Sequence, residues 1–456
     1  MKSPNFFSGN SSRIVTKVDM AGIGIGPSNL SLAALLQPHP QYFSGFFDKK
    51  PQFIWHQGML LPGAALQVSY LKDLVTLVDP TNRFSFINFL AESKRLYQFI
   101  TANFQHTTRD EFNQYLQWVC QLLPNLHFNH EVENIYLNKN NFTLSVKSPY
   151  SKLHVLTKNV VMGIGLQPSL PEFSRAHLCE TVFHASNFMF MQQNSKNKRI
   201  AIVGAGQSGA EIFKFYLSDK NNLPQKIFWL NRRDNFLQLD ESPFVNDLFT
   251  PSYSNYFYNL PENKKKKLLG QQRLYSDGIS PITLEEIYRE IYSLNFIEKK
   301  PDTCELLSVT ETIDLVKNGN EWLLTTRNLQ NGEIQYLTVD LVIFCTGYKF
   351  CLPHFLAPIK QRLSFDDNNN LKINQDYSVQ WDGPDNCKLY IQNGAIHCRG
   401  VADPNLSLMS WRSAKIINSM ANLNIYPTDA QGSFLDWTVK NSYSEMEDSN
   451  ENPLSI

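Results

Sequence analysis

Two glycine-rich turns, about 180 residues apart, restrict the folds open to this chain more than any other feature of its sequence. Each turn stands between a short apolar run and a helical pattern: Gly22 to Asn29 reads GIGIGPSN, and Gly204 to Glu211 reads GAGQSGAE. A strand, a glycine turn and a helix, in that order, open a dinucleotide-binding βα unit. The sequence therefore predicts an α/β protein with two Rossmann-like dinucleotide-binding domains.

The first turn is an imperfect copy of the dinucleotide-binding motif. Gly24 and Gly26 provide the tight turn and the close approach of the backbone to a pyrophosphate, and Asn29, two residues after Pro27, replaces the usual third glycine. Asp48 stands 24 residues after Gly24, at the end of the next predicted strand. For Asp48 taken alone, a solvated strand end is the better interpretation. The spacing favours a carboxylate that accepts hydrogen bonds from ribose hydroxyls.

The second turn contains the complete GxGxxG motif, with Gly204, Gly206 and Gly209. After the next predicted strand the chain has Arg232 and Arg233 where an acid would otherwise stand. Arginines at this position are expected where a ribose phosphate is bound, which selects NADPH over NADH. Surface arginines that bind no ligand are the alternative interpretation.

Two dinucleotide sites on one chain imply that electrons pass from NADPH to a flavin, which leaves both a reductase and an oxygenase open. The order of elements predicts that one domain is inserted in the other. Residues 1–190 and 339–440 form an FAD-binding domain, residues 191–338 an NADPH-binding domain with a substrate-site segment, and residues 441–456 a disordered tail. The apolar strand at 340–345 repeats the strand-glycine pattern near residue 160 and predicts the return to the first domain.

Composition and charge exclude several classes of protein. The 456 residues include 42 Lys plus Arg and 42 Asp plus Glu, so no overall positive field attracts nucleic acid or an anionic membrane. No run of 18 uncharged apolar residues predicts a membrane span, and the first 17 residues lack the apolar core of a signal peptide. The seven cysteines form no CxxC pair and the ten histidines no HExxH motif. We therefore expect no disulfide framework and no metal site, and a reducing cytoplasm fits.

Several long segments outside the glycine motifs are also distinctive. They are FIWHQGML, QVSYLKDLVTLVDPTNRFSFINFL from Gln67 to Leu90, LNRRDNF, DESPFVND, FCTGY and ADPNLSLMSWRSA from Ala402. Together with the two turns they extend over nearly the whole chain. They closely resemble the N-hydroxylating flavin monooxygenases of siderophore biosynthesis, the lysine and ornithine side-chain amine hydroxylases. The resemblance implies FAD in the first domain, NADPH in the inserted domain, and a flavin hydroperoxide, formed from molecular oxygen, that transfers its distal oxygen to a primary amine.

The same resemblance implies roles for individual residues. It places Trp55, His56 and Gln67 near the flavin and brings Lys72 close to the substrate. The predicted cofactor-binding residues are Gly24, Gly26, Pro27, Asn29, Asp48, Trp55, His56, Gln67, Gly204, Gly206, Gln207, Ser208, Gly209, Arg232, Thr346 and Leu406. The predicted catalytic residues, which line the active site, are Lys72, Asn246 and Ser407.

The segments that bind the amino-acid head group give a mixed resemblance. Residues 240–246 look like the ornithine enzymes, which use the asparagine that is Asn246 here. Residues 275–279 look like the lysine enzymes and lack the second head-group asparagine of the ornithine type. Arg399 replaces a histidine expected just before Gly400. Lysine is the best single prediction, and ornithine, putrescine, cadaverine and histamine stay open.

Two other functions remain as alternatives. A Baeyer-Villiger or sulfur-oxidising flavin monooxygenase would share both glycine turns but not the QVSYLKDL and ADPNLSLMSWRS segments. A flavin-binding sensor or scaffold would not require intact turns together with Arg232 and Arg233. The sequence therefore predicts a homo-oligomeric, cytoplasmic NADPH-dependent flavin N-monooxygenase that acts on a primary amine and molecular oxygen.

Overall fold

The structure, a computed structural model, describes residues 14–104, 106–191, 194–429 and 433–437. The predicted tail at 441–456 lies outside the described residues. Within them, short strands alternate with helices in the order that the two glycine motifs predict.

The strands and helices are labelled in chain order. The strands are β1 (Ile14–Lys17), β2 (Met20–Ile23), β3 (Ser44–Phe47), β4 (Leu126–His127), β5 (Glu131–Asn138), β6 (Asn141–Lys147), β7 (Lys152–Thr157), β8 (Asn159–Met162), β9 (Gln167–Pro168), β10 (Val182–His184), β11 (Arg199–Val203), β12 (Lys226–Leu230), β13 (Cys304–Leu307), β14 (Thr310–Asn318), β15 (Glu321–Asn328), β16 (Ile334–Val339), β17 (Leu341–Phe344), β18 (Tyr348–Lys349) and β19 (Lys388–Ile391). The α-helices are α1 (Pro27–Leu36), α2 (Phe86–Glu92), α3 (Leu96–Ala102), α4 (Arg109–Leu122), α5 (Phe188–Met191), α6 (Gln207–Ser218), α7 (Pro243–Asn246), α8 (Pro251–Tyr258), α9 (Glu262–Gln271), α10 (Leu274–Asp277), α11 (Pro281–Tyr292), α12 (Ile396–Arg399) and α13 (Met409–Ala421).

The first glycine turn follows the central strand of a five-stranded parallel sheet with the order β19-β8-β2-β3-β4. Every residue of β2, β3 and β8 is buried, as expected for parallel strands that are covered on both faces. Helix α1 is apolar on all sides and packs against α13. A second sheet, β1-β7-β6-β5, shares the same apolar core and completes what we call the first unit.

The second glycine turn follows the central strand of another parallel sheet, β10-β17-β11-β12-β13. With the antiparallel sheet β14-β15-β16, which packs on it, this sheet forms the second unit. The prediction that strand 340–345 returns to the first domain was wrong, because Leu341–Phe344 pairs with β11. Buried parallel strands have the same apolar pattern in either sheet, so the pattern did not identify the partner. The second sheet therefore extends from Val182 to Phe344, beyond both ends of the predicted segment 191–338.

The two segments that connect the units lie side by side. Strands β9 and β18 form a two-stranded antiparallel pair, in which Tyr348 is opposite Pro168. His184 Nδ1 accepts a hydrogen bond from the Ser186 amide, and its Nε2 donates to the Gly347 carbonyl at 3.1 Å. Burial lowers the pKa of His184 to about 4. The neutral ring therefore fixes the return crossing.

A helical segment between β12 and β13 links the second unit to the first. Leu248, Phe249, Tyr253 and Phe257 lie in the core of the first unit, although the chain on either side belongs to the second sheet. This segment contains α7, where the predicted head-group residue Asn246 is located. Among the described residues, no helix has the length and apolar character needed to cross a membrane.

Candidate functional site

The first glycine turn has the backbone geometry that a pyrophosphate requires. Gly24 has φ +86°, and a Cβ at that position would lie 2.5 Å from the Gly163 carbonyl oxygen. Gly26 caps α1 without a side-chain hydrogen bond, so no cap side chain occupies the amides of the first helical turn. Free amides at a helix N-terminus are a ready site for phosphate oxygens. The residues present therefore fit the dinucleotide that the sequence predicts.

Asn29 explains why the motif lacks its third glycine. Its side-chain amide donates to the Gly24 carbonyl at 2.8 Å and to the Ile23 carbonyl at 3.1 Å. Its Oδ1 accepts from Gln392 Nε2 at 2.9 Å. A Cβ on Gly163 would collide with the Asn29 side chain. Asn29 thus supports the turn through these hydrogen bonds. The glycine needed for close packing is Gly163, which directly follows the neighbouring strand β8.

Asp48 is buried and is part of the turn. Its Oδ2 accepts a hydrogen bond from the Ile25 amide at 2.8 Å, and its Oδ1 accepts from the Lys50 amide at 2.9 Å. These contacts exclude the solvated strand end considered from the sequence. Each carboxylate oxygen can accept a further bond, so a ribose contact is compatible with this geometry and remains a prediction.

The second turn has the complete form of the motif. Gly204 has φ +121°, and a Cβ there would lie 2.3 Å from the Cys345 carbonyl oxygen. A Cβ on Gly209 would lie 2.2 Å from the Gly204 carbonyl oxygen, which the Trp229 indole also binds at 3.0 Å. Gly206 caps α6 without a side-chain hydrogen bond. The helix therefore presents free amides, including those near Ser208, to a second dinucleotide.

The two arginines after β12 have different environments. Arg232 is exposed, whereas Arg233 is half-buried and burial lowers the pKa of its guanidinium. Between them and the strand, Asn231 is buried and shapes the turn through a bond from its amide to the Asn235 carbonyl at 2.7 Å. The exposed position of Arg232 at the strand end is compatible with the predicted contact to a ribose phosphate.

Trp55 and His56, which are predicted to lie near the flavin, are adjacent in the segment that follows β3. The Trp55 and His56 rings are in edge contact at 4.9 Å, and Trp55 also packs on Phe112. His56 has φ +47° and is accessible to solvent. Although part of the residue is exposed, the protein atoms packed around its ring, with repulsion from Arg109 and Lys50, lower its pKa to about 4. His56 is therefore neutral at physiological pH.

Lys72 and the Asn246 helix are neighbours. Lys72 Nζ lies 6.0 Å from the centre of the Phe249 ring, three residues after Asn246. Burial lowers the pKa of Lys72. Within the described part of the chain, Lys72 Nζ forms no ion pair. Asn246 is exposed, and its side-chain amide donates to the Glu241 carbonyl at 3.0 Å.

Asp73, which sequence reasoning missed, shapes the loop that carries Lys72. Its fully buried carboxylate accepts bonds from the Val75, Thr76 and Phe86 amides at 2.7 to 2.9 Å. The signal in the sequence was the Asp-x-Val-Thr pattern, in which an aspartate caps the amides that follow it. Asp73 therefore fixes the backbone that immediately follows Lys72.

Ser407 lies in the turn immediately before α13 and is buried. Its hydroxyl donates to Asn405 Oδ1 at 2.7 Å, which caps the turn Leu406–Leu408. The preceding loop is held by a fully buried ion pair that the sequence did not indicate, in which Arg412 Nη1 lies 3.0 Å from Asp403 Oδ1. Arg412 also reaches Gln392, the partner of Asn29 in the first turn. This network connects the Ser407 loop to the first dinucleotide site.

Arg399 is a packing residue in the core of the first unit. Its guanidinium lies between the Tyr258 and Tyr377 rings, at 4.4 and 4.5 Å from their centres. Its hydrogen bonds go to the Gln375 carbonyl and to Asn255 Oδ1. The extra cation expected beside the ADPNLS segment is therefore surrounded by protein groups and is fully buried.

A contact between two glutamines joins the second glycine motif to the loop that precedes Lys72. Gln67 Nε2 of the first unit donates to Gln207 Oε1, at the start of α6, at 3.4 Å. Thr346 lies on the return crossing, where its hydroxyl donates to the Ser169 carbonyl. Among the described residues, no cluster of His, Cys, Asp and Glu has the arrangement of a metal site. The contact between Gln67 and Gln207 therefore brings the first unit next to the second glycine motif.

Comparison with known proteins identifies the family. Residues 16–350 match the family described as L-lysine 6-monooxygenase/L-ornithine 5-monooxygenase. The chain belongs to this family. The match confirms the family and the class of enzyme, a flavin-dependent N-monooxygenase, that the sequence resemblance implied.

Individual relatives support the same conclusion. The chain is 37% identical over 421 residues to L-lysine N6-monooxygenase of Escherichia coli, which covers 92% of this chain and 98% of that protein. The crystal structure of DfoA bound to FAD, a cadaverine monooxygenase of desferrioxamine biosynthesis from Erwinia amylovora, has a TM-score of 0.88 at 28% identity and covers 93% of this chain and 99% of its own. Ornithine N-hydroxylase KtzI of Kutzneria sp. 744, with reduced FAD, NADP+ and L-ornithine, has a TM-score of 0.84 at 27% identity and covers 89% and 99%. The predicted fold class is confirmed.

Proposed function

We propose that this chain hydroxylates the side-chain amine of L-lysine, or of a closely related primary amine, with FAD, NADPH and molecular oxygen. One amine, one O2, one NADPH and one proton give one hydroxylamine, one water and NADP+. The hydroxylamine is the precursor of a hydroxamate-type iron ligand in siderophore biosynthesis. Bound FAD supplies the activation of oxygen, and the protein holds the cofactors and the amine.

The contact between Gln67 and Gln207 is the observation that carries this proposal. FAD belongs at the turn around Gly24, and NADPH belongs at the turn around Gly204. Hydride transfer requires the nicotinamide and flavin rings to meet. Gln67, which the family resemblance implies is near the flavin, lies 3.4 Å from Gln207 at the start of α6, and this contact supports the proposal. The two solved structures compared above carry FAD, and one of them also carries NADP+, which agrees with this assignment.

The environment of Lys72 suits an amine that must lose a proton before it reacts. A free alkyl ammonium has a pKa of about 10.4, so most of it is charged at neutral pH. The burial that lowers the pKa of Lys72 would act on a substrate amine in the same way. The site therefore favours the neutral, nucleophilic amine.

Lys72 also offers a binding partner for a substrate carboxylate. Its ammonium is half-buried, and among the described residues no carboxylate neutralises it. A buried charge is costly until it is paired, so an amino-acid carboxylate would bind there with a gain in free energy. This supports lysine over cadaverine, which lacks a carboxylate.

An assay of hydroxylamine formation with lysine, ornithine, cadaverine, putrescine and histamine tests the proposal. We expect lysine to give the highest kcat/KM, with NADPH oxidation matched to product. Absence of hydroxylamine with every amine would refute the amine assignment. A Baeyer-Villiger or sulfur-oxidising activity would then be the next to assay, although the family does not favour it.

Lysine and cadaverine differ only by a carboxylate, so together they isolate the role of Lys72. If Lys72 pairs with that group, Lys72→Met should lower kcat/KM for lysine by about a hundredfold, as expected when a charge-assisted bond is lost, and change that for cadaverine much less. Lys266→Met, on the exposed face of α9, is the control. Equal losses of kcat/KM for the two substrates would show that Lys72 does not bind the substrate carboxylate.

Two further predictions remain proposals. The reducing cytoplasm inferred from the cysteines is consistent with seven free thiols. Homo-oligomer formation is expected, and analytical ultracentrifugation of the FAD-loaded protein measures it directly.

A further inference from the structure

A chain of polar contacts crosses from the first unit to the second beside the paired glutamines. Arg109 of α4 donates from Nη1 to Glu211 Oε2 and from Nη2 to Oε1, both at 2.8 Å. Glu211 Oε1 also accepts from Gln207 Nε2 at 2.9 Å. Gln207 Oε1 in turn accepts from the Ser280 amide at 2.8 Å and from Gln67 Nε2. One carboxylate therefore fixes which way the Gln207 amide points.

Each end of this ion pair is held by a different unit. Arg109 is the first residue of α4, its amide donates to the Ala64 carbonyl, and its Nη1 donates to the Met59 carbonyl at 3.2 Å. Glu211 lies in the first turns of α6, which follows the second glycine motif. The two side chains are 16% and 8% exposed, and the forked geometry allows little displacement of either partner. The ion pair therefore constrains the position of one unit relative to the other.

Apolar contacts already attach the two units at this place. Met59 and Leu61 of the first unit lie in the core of the second, beside Phe188. A Cβ on Gly58 would lie 1.7 Å from the Ser186 carbonyl oxygen, so the backbones are in close contact. Attachment does not require the ion pair. The ion pair adds a defined relative orientation of the two units, because its hydrogen bonds are directional and apolar contacts are not.

We propose that Arg109 and Glu211 form a positioning pair for hydride transfer. They orient the Gln207 amide, and with it the N-terminus of α6, relative to the flavin site at Gln67. This inference rests on the proposed function, since it assigns NADPH to α6. Reacting atoms must meet within a narrow range of geometry, and a displacement of about 1 Å can cost about a hundredfold in rate.

Anaerobic reduction of the FAD-loaded protein by NADPH in a stopped-flow instrument tests the proposal. Glu211→Gln removes the charge and keeps the shape, and we expect it to slow flavin reduction at saturating NADPH by at least about tenfold. Glu286→Gln is the matched control. Glu286 of α11 pairs with Lys214, which is on α6 as Glu211 is, but both partners of this pair belong to the second unit. The control should change the rate less than about twofold, as expected for an exposed pair. Combining Arg109→Met with Glu211→Gln should cost little more than Glu211→Gln alone.

Hydrogen exchange provides a readout that does not depend on activity. The Ser280 amide donates to Gln207, so the peptide that contains it should exchange faster in Glu211→Gln than in the wild type or in Glu286→Gln, with FAD content unchanged. Unchanged exchange together with an unchanged reduction rate would overturn the proposal. A wild-type protein that reduces its flavin but makes no hydroxylamine would instead refute the proposed function and leave the pair intact.

Discussion

Replacing Asp403 by asparagine should destabilise the first unit strongly. Asp403 is 1% exposed, and three of its oxygens accept hydrogen bonds. Oδ1 accepts from the Arg412 guanidinium at 3.0 Å, and Oδ2 accepts from the Ala395 amide at 2.8 Å. The backbone carbonyl accepts from Arg412 at 2.7 Å. The substitution keeps the shape and removes the charge. It leaves a fully buried guanidinium without a counter-charge, which costs about 3 to 5 kcal/mol.

The loss should extend to FAD binding. Arg412 bonds to Gln392, which bonds to Asn29 beneath the first glycine turn. Weakening this network should disturb the turn that is predicted to hold the FAD pyrophosphate, and a loss of about 1.4 kcal/mol there would lower FAD affinity about tenfold. The affinity is measured by titrating the apoprotein with FAD and following flavin fluorescence.

Urea unfolding of the FAD-loaded protein measures the stability. The control is Glu285→Gln, because Glu285 pairs with Arg289 on an exposed helix face where both side chains are more than half exposed. Its loss should be below about 1 kcal/mol. If the free energy of unfolding of Asp403→Asn is within about 1 kcal/mol of that of the control, the buried ion pair does not stabilise the loop as described.

Three other substitutions test separate parts of the structure. Gly204→Ala places a Cβ against the Cys345 carbonyl, so it should abolish NADP+ binding and retain FAD. The control Gly319→Ala, at φ +61° with open space around it, should leave NADP+ binding unchanged. Calorimetric titration with NADP+ measures both affinities. Arg232→Ala should raise KM for NADPH about tenfold and leave KM for the amine unchanged in steady-state kinetics. His184→Gln should flatten the acid limb of the stability profile measured by urea unfolding between pH 6.5 and 4.

The sign for His184 follows from its lowered pKa. Its pKa is about 4 in the folded protein and 6.5 in the unfolded chain, so the unfolded state binds the proton more readily. The neutral ring therefore contributes its full stability above pH 6.5, and this contribution falls by about 1.4 kcal/mol per unit as the pH drops towards 4. A variant whose acid limb matches that of the wild type would show that the ring is not held neutral.

Local patterns in the sequence predicted the parts of the molecule that depend on local geometry. Both glycine turns, the helices that follow them and the position of Asp48 were predicted correctly, because a turn that needs φ above zero restricts its residues directly. The partner of strand Leu341–Phe344 was not, because any buried parallel strand presents the same apolar run.

Contacts between distant residues were also hidden in the sequence. Asp403 and Arg412 look like surface charges until the fold buries them, and the same applies to Arg399 between two tyrosines. Arg109 and Glu211 lie on helices of different units, and no spacing rule joins them. The predicted substrate residues Lys72 and Asn246 came from family resemblance, and the contact of Lys72 with Phe249 is the structural support for placing them together.

The most direct test of the proposed chemistry is the origin of the oxygen in the product. Under 18O2, with NADPH and L-lysine, we expect mass spectrometry to show one 18O atom on the side-chain nitrogen and one hydroxylamine formed for each NADPH consumed. Unlabelled product, or NADPH consumption without any hydroxylamine, would contradict N-hydroxylation by this chain.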